Sequence, residues 1–279
     1  MWKPLPDSPE SKALAAVAVH ANGPPIDPAF RVTINFHPDR ISGNTNLLKV
    51  LATDMVLRSQ FETKTSNGSL SAHEGGDRWL WESRMFSGAY DLAPAYRRPK
   101  YGALNHRRKS VGASPRFGSS HFRLAAHVLQ RTTFCYPDSV FAPEDYGNAL
   151  NMGLIPICDS DHRDELDQYI EAQVHGPVVL SRDVEALVLD PCYIGTFVET
   201  NAMTLPVVVE WHSGFRVAIE TLRQFPEYRG QRYVDLASKF AVDRWLTPDA
   251  IGQAATSGEH SNDDLKRVWH YLARFAEND

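Results

Sequence analysis

The stretch Arg31-Val-Thr-Ile-Asn-Phe-His-Pro-Asp-Arg40 begins with alternating apolar and polar side chains and is rich in β-branched residues. This pattern predicts a β-strand, and Pro38 predicts its end, because proline lacks the backbone donor that strand pairing needs. The strand therefore leads directly into an imidazole, a carboxylate and a guanidinium at one edge of a sheet. A structural role fits the same residues, with Asp39 capping the next turn and His37 hydrogen-bonded to the backbone.

A second polar strand is predicted at Tyr169-Ile-Glu-Ala-Gln-Val-His-Gly176. Side chains alternate across a strand with a period of two, so Glu171, Gln173 and His175 share one face. Apolar side chains occupy the other face. We expect the three polar groups to face either water or a ligand.

Around these two strands the sequence predicts a mixture of helices and strands without a regular βαβ order. The predicted helices cover residues 8–21, 46–57, 77–86, 161–170, 196–202, 234–245 and 263–277, and the further strands cover 101–105, 117–124, 131–136, 184–189 and 207–211. The segment that begins at Arg58 has a strand-like start. We therefore predict an α+β fold with a core at 30–213, a helical segment at 1–29 and a helical C-terminal region at 214–279 that could recognise a partner.

Charge is unevenly distributed along the 279 residues, although the net charge is only −5. Residues 92–137 contain nine Lys or Arg and no Asp or Glu, and the chain from Asp138 to Asp190 is mainly acidic. A basic block of this size suits a small phosphorylated ligand, and it equally suits a solvated face paired with the acidic block. The mild net negative charge argues against a nucleic acid partner.

Composition sets further expectations. The chain has three cysteines without metal-ligand spacing, no apolar run of 18 residues and no secretory signal pattern after Met1. We therefore expect a monomer without membrane association in the bacterial cytoplasm, and a route of secretion into a host cell would not be visible in such a sequence.

Three loops have the composition of ligand-binding loops. The segment Gln60–Gly68 is crowded with hydroxyl and amide side chains that could hold a phosphate or ribose. Pro99–Asn105 and Pro115–Ser120 combine an aromatic residue with glycine, so that a planar ring could approach the backbone closely. Ordinary strand packing is the alternative for both.

Taken together, the long motifs resemble a family of bacterial effectors that ADP-ribosylate a threonine of ubiquitin. The resemblance covers residues 30–215 and rests on the segments 32–40, 58–68, 98–105, 115–119 and 169–176. It implies an ADP-ribosyltransferase-like core with a split mixed β-sheet. It also implies NAD as a substrate, cleaved at the nicotinamide–ribose bond, and a protein hydroxyl acceptor, with ubiquitin the acceptor of the family.

The resemblance also implies residue roles. Such transferases carry His or Arg on the first core strand, Tyr or Ser on the second and Glu on a later one. Here these positions correspond to His37 or Asp39, to Tyr101 or the pair Thr132-Thr133, and to Glu171. The sequence His-Pro-Asp-Arg departs from the usual first-strand motif. The expected NAD-binding residues are Asn35, Arg40, Arg58, Gln60, Thr65, Ser66, Asn67, Gly102, Arg116, Phe117, Gly118, Ser119 and Gln173.

The expected chemistry follows from the charge that develops on the ribose as nicotinamide leaves. A carboxylate at Glu171 would stabilise this oxocarbenium-like transition state through the ribose 2′-OH. His37 or Asp39 would orient the ribose or accept a proton, Tyr101 would stack on nicotinamide, and an arginine would hold the pyrophosphate.

Two other functions remain open at this point. A metal-dependent hydrolase could draw its ligands from His37, His106, His121, His175, His212, Asp39 and Glu171, although no His-x-x-x-His or His-x-His spacing occurs. A non-enzymatic binding module could use the basic block to dock an acidic partner.

Overall fold

The structure is a computed structural model that describes residues 2–42, 45–64 and 70–276. The segments in which apolar and polar residues alternate form its strands. The strands are β1 (Val32–Phe36), β2 (Ile41–Ser42), β3 (Thr45–Asn46), β4 (Val56–Leu57), β5 (Lys100–Leu104), β6 (Ser120–Leu124), β7 (Thr132–Tyr136), β8 (Asp145–Asn148), β9 (Glu171–Val174), β10 (Val178–Val179), β11 (Val184–Leu189), β12 (Val208–Trp211), β13 (Val217–Ala218) and β14 (Trp245–Leu246).

Helices flank the strands at both ends of the chain and between them. They are α1 (Pro9–Ala18), α2 (Leu47–Asp54), α3 (Gln60–Thr63), α4 (Asp77–Met85), α5 (Leu154–Ser160), α6 (Leu180–Asp183), α7 (Phe197–Ala202), α8 (Ile219–Leu222), α9 (Gln231–Phe240), α10 (Pro248–Ser257) and α11 (Asn262–Phe275). Among the described residues, no helix combines the length and the apolar composition that a membrane crossing needs.

A large mixed sheet organises the fold, with strands in the order β12-β11-β6-β1-β5-β9-β7-β8. Its neighbours are antiparallel except for the parallel pair β11 and β12. Thr33 lies opposite Ala103, and Ala103 lies opposite Glu171, so these three residues share one face. The mixed sheet with helical flanks agrees with the expected α+β class.

The sheet is poorly joined between β1 and β5. These strands share two paired positions, Val32 with Leu104 and Thr33 with Ala103. Beyond Thr33, β1 continues to pair with β6 and β5 continues to pair with β9. The seam between β1 and β5 is therefore a short ladder that ends at Thr33 and Ala103.

The two faces of the sheet have different coverings. Apolar side chains of the strands, including Phe122, Phe134 and Val174, form the main core with α2, α5 and α7. A smaller apolar cluster, which includes residues of α1 and α4, covers the opposite face near Tyr101 and Cys135. The polar side chains of the central strands therefore lie beneath protein and not at the surface.

Several elements differ from the sequence predictions for local reasons. The segment after Arg58 is helical, because Ser59 and Glu62 form a reciprocal capping box at the start of α3. Residues 161–170 are not helical: carboxylates of Asp161 and Asp164 accept hydrogen bonds from backbone N–H groups two residues on and stabilise turns. The helices α5 and α10 and the strand β8 were not predicted.

The C-terminal region has its own apolar cluster, in which Trp269 and Tyr271 are buried. Val111 and Leu166, from the central part of the chain, belong to the same cluster. The indole Nε1–H of Trp269 donates to the carbonyls of Pro115 and Arg116 at 3.0 and 3.1 Å. The boundary expected at residue 213 is therefore crossed by core packing and hydrogen bonds.

Gly102 tests the packing of the seam, and we expect Gly102→Ala to lower the free energy of unfolding by about 2 kcal/mol. A Cβ at this position would lie 2.6 Å from the Thr33 carbonyl oxygen and 2.9 Å from Ile34 Cγ1. Urea denaturation measures the loss. In the control Gly195→Ala, nothing lies within 4 Å of the added Cβ, and the left-handed backbone alone should cost about 1 kcal/mol. A Gly102→Ala protein as stable as wild type would contradict this packing.

Candidate functional site

Glu171 is a buried carboxylate at the start of β9, and its side chain is 8% exposed. The Ser139 hydroxyl donates to Oε2 at 2.9 Å, and the Gln173 amide donates to Oε1 at 3.0 Å. Arg78 Nη1 lies 3.7 Å from Oε1. Burial raises the pKa of Glu171, while Arg78 and these two donors oppose the rise. The result is a dry carboxylate surrounded by fixed donors, an environment found at many functional sites.

The donors come from segments that are distant in the sequence. Ser139 opens a 3-10 helix, Ser139–Phe141, and Asp138 caps it by accepting from the N–H of Val140. Tyr169 OH donates to the other oxygen of Asp138. Arg78, on α4, donates to the Ser139 hydroxyl and so fixes the group that binds Glu171.

Tyr101 lies beside this site but is held by protein contacts. Its hydroxyl donates to Glu82 at 2.7 Å, and Glu82 in turn pairs with Arg98 at 2.6 Å. The guanidinium of Arg78 lies over the Tyr101 ring, 4.1 Å from its centroid. Tyr101 therefore orients Arg78 in this structure, and its ring face is covered where nicotinamide was expected.

The two first-strand candidates contact the C-terminal helices: His37 lies against Trp269 of α11, and Asp39 lies against Gly252 of α10. The His37 ring packs edge-on against Trp269 with centroids 4.7 Å apart, and burial keeps its pKa well below the usual value. The Tyr193 hydroxyl donates to Asp39 at 3.2 Å. Burial also raises the pKa of Asp39 to about 6. The structure therefore does not bring His37 or Asp39 together with Glu171.

Asn35 lies on β1 beyond the last position that pairs with β5, on the same face of the sheet as Glu171. Its amide donates to the carbonyls of Val111 at 2.8 Å and Gly118 at 3.3 Å. Gly118 itself lies against the backbone of Phe36, where a Cβ would not fit. Asn35 and Gly118 thus anchor the loop that carries Phe117 over the sheet.

Phe117 and Arg116 lie on that loop. The Phe117 ring packs edge-on against Tyr169, two residues before Glu171, with centroids 5.6 Å apart. Arg116 forms an ion pair with Asp167. The Ser119 hydroxyl lies 3.2 Å from Tyr193 OH, on the side of Asp39. Of these three predicted residues, Phe117 lies closest to the surroundings of Glu171.

The remaining predicted NAD-binding residues lie elsewhere. Arg58 pairs with Asp54 at 2.6 Å, Gln60 begins α3, and Arg40 lies at the exposed end of its segment. Gly102 is explained by the close approach of Thr33. Thr65, Ser66 and Asn67 lie outside the described residues.

The metal alternative can be compared with the same structure. Within the described ranges, the group with three potential ligand atoms close together is His106, Cys158 and Asp159, whose ligand atoms lie within 4.8 Å of one another. Arg107 already donates to Asp159 at 2.9 Å and lies 3.8 Å from Cys158 Sγ, so a guanidinium occupies the position of a cation. Among the described residues, the histidines expected as hydrolase ligands do not form a metal-binding group with Asp39 and Glu171.

Sequence reasoning missed Arg78, Asp138 and Ser139. A signal existed for the latter two: Tyr136-Pro-Asp-Ser139 is a turn motif directly after β7, the strand that pairs with β9. The sequence therefore offered Asp138 and Ser139 as candidate site residues, because they follow the strand that pairs with the strand of Glu171. Nothing in the sequence pattern indicated that α4 would supply Arg78.

Residues 31–155 and 148–275 match the model of a family described as protein of unknown function (DUF3626). Because these matches span most of the chain, the protein belongs to that family. A comparison with curated proteins found no match.

Asp39 gives a testable pH dependence. Its pKa is raised to about 6 from a usual 3.8, so the unfolded chain loses this proton first and stability falls as pH rises between these values. We expect Asp39→Asn to remove that fall and to raise the free energy of unfolding at pH 7 by about 1 to 3 kcal/mol. Urea denaturation at pH 4 and pH 7 checks this. A variant that is less stable than wild type at pH 7 would show that the ionised carboxylate supports the fold.

Proposed function

We propose that this protein is a mono-ADP-ribosyltransferase that cleaves NAD and transfers ADP-ribose to a protein hydroxyl. The observation that carries the proposal is the environment of Glu171. A carboxylate on a central strand, 8% exposed and held by Ser139 and Gln173 with Arg78 nearby, is pre-arranged to stabilise positive charge. Such pre-arranged electrostatics in a dry site contributes strongly to catalysis.

The strand order supports the proposal. Tyr101 lies on β5 and Glu171 on β9, which are neighbours in the sheet beside β1, whereas His37 and Asp39 follow the end of β1. Asn35, Tyr101 and Glu171 lie on the same face by register.

Glu171 would act on the ribose. When nicotinamide leaves, the ribose gains positive charge, and a carboxylate that accepts from the 2′-OH stabilises it. The 2′-OH would replace the Ser139 hydroxyl, which now donates to Oε2. Phe117, which packs on Tyr169 close to Glu171, is the aromatic residue that we assign to the nicotinamide side. Tyr101 would act indirectly, by holding Arg78.

The acceptor rests on the family resemblance alone. A threonine hydroxyl of ubiquitin is the acceptor that the resemblance implies. In this proposal the acceptor hydroxyl attacks the ribose carbon as the bond to nicotinamide breaks. Nicotinamide leaves, the hydroxyl proton is released to water, and ADP-ribose is added to the protein.

We expect Glu171→Gln to lower nicotinamide release from NAD at least about 100-fold, because the neutral amide cannot offset the ribose charge. The matched control is Glu185→Gln, which changes a part-exposed carboxylate on β11 that pairs with Arg31. Nicotinamide release and the intact mass of ubiquitin, incubated with NAD and protein, are the measurements.

The outcomes separate the candidate functions. One added ADP-ribose on ubiquitin with wild type and with Glu185→Gln, but not with Glu171→Gln, supports the proposal. No nicotinamide release from the folded wild-type protein would reject it in favour of a binding module. Release that Glu171→Gln leaves unchanged would reject the role of this residue.

A further inference from the structure

The polar residues that share a face with Glu171 form a buried chain of hydrogen bonds. Tyr90 OH lies 2.7 Å from His175 Nδ1, and His175 Nε2 lies 3.0 Å from Thr133 Oγ1. Thr133 donates to the Gln173 amide oxygen at 3.0 Å, and the Gln173 amide nitrogen donates to Glu171 at 3.0 Å. Each of these five residues is buried. These hydrogen bonds therefore connect the turn after α4 to the carboxylate through the protein interior.

In this chain of hydrogen bonds, each donor lies on the side of Tyr90 and each acceptor on the side of Glu171. Thr133 uses its one hydrogen for Gln173 Oε1, so it accepts a hydrogen from His175 Nε2. Burial, with Arg131 and Lys100 nearby, lowers the pKa of His175 to about 3, so the ring carries one hydrogen at neutral pH. With that hydrogen on Nε2, Nδ1 accepts from Tyr90.

The amide of Gln173 is thereby fixed as well. Its nitrogen has two hydrogens, which reach Glu171 Oε1 and Cys135 Sγ at 3.0 and 3.4 Å. Rotating the amide would place its oxygen against the carboxylate oxygen and would require Thr133 to donate to His175 Nε2 instead. In the observed orientation every polar atom of the Gln173 side chain has a partner.

We propose that His175, Tyr90 and Thr133 are positioning residues: they fix the tautomer of His175 and the amide of Gln173, and so keep an N–H donor on Glu171 Oε1. The inference rests on the proposed function only for the catalytic role of Glu171. The other ionisable groups close to Glu171 are Arg78 from α4, Cys135 from β7, Tyr101 from β5, and the pair Asp138 and Tyr169.

Thr133→Val tests the chain, since valine keeps the shape of the side chain and removes its hydroxyl. Thr132→Val is the matched control. Thr132 is the neighbouring buried residue on β7, and its hydroxyl donates to the Val128 carbonyl at 2.8 Å, so it takes no part in the hydrogen bonds between Tyr90 and Glu171. Nitrogen-15 NMR of labelled histidine reports the tautomer of His175. Carbon-13 NMR of labelled glutamate, assigned with Glu171→Gln, reports the titration of Glu171.

We expect wild type and Thr132→Val to hold His175 with its hydrogen on Nε2 at neutral pH. Thr133→Val should shift that hydrogen toward Nδ1 and move the pKa of Glu171 upward. Wild type with the hydrogen on Nδ1 would overturn the proposal even if the variant fails to fold. Unchanged titration of Glu171 in folded Thr133→Val, or an equal change in Thr132→Val, would also overturn it. Neither spectrum depends on NAD turnover, so the proposed function stands or falls separately.

Discussion

The fold around the candidate site depends on one constraint, the cost of keeping the Glu171 carboxylate out of water. Charge buried without partners costs several kcal/mol, and removing one partner of a buried pair typically costs about 3 to 5 kcal/mol. Three separate segments meet this need: α4 supplies Arg78, the turn after β7 supplies Ser139, and β9 itself supplies Gln173. The packing of α4 on the sheet and the capped turn at Asp138 can both be understood as ways of placing these donors.

The same electrostatic argument accounts for the uneven charge of the sequence. Several arginines of the basic block pair with acids of the acidic block, and these pairs are Arg107 with Asp159, Arg116 with Asp167, Arg123 with Glu185 and Arg131 with Asp183. Pairs with acids of other segments are Arg97 with Glu10, Arg98 with Glu82 and Arg123 with Glu210. Much of the block therefore joins segments of this chain, and the phosphate-binding surface that the sequence suggested is largely occupied by carboxylates.

The alternation of polar and apolar residues predicted the main strands and the faces on which their side chains lie. The strands β1, β5, β7, β9 and β11, and the shared face of Glu171 and Gln173, follow from alternation and agree with the structure. The pattern could not tell that α1 and α4 cover this face, so polar groups expected at a ligand or at water bond to one another instead. Where side chains bind the backbone, as at Asp161 and Ser59, local hydrogen bonds outweighed the apolar spacing. Arg78 was beyond prediction, because no pattern shows which distant segments meet.

The bonds from Trp269 to the carbonyls of Pro115 and Arg116 have a practical meaning for anyone who wishes to produce a shorter version of the molecule. Helix α11 holds the loop that Asn35 anchors, and the same helix packs on His37. A protein truncated near residue 213 would lack these contacts, and Val111 and Leu166 would lose their apolar neighbours. The last quarter of the polypeptide thus supports the loop beside the candidate site, and a trimmed fragment would be a poor substitute for the whole.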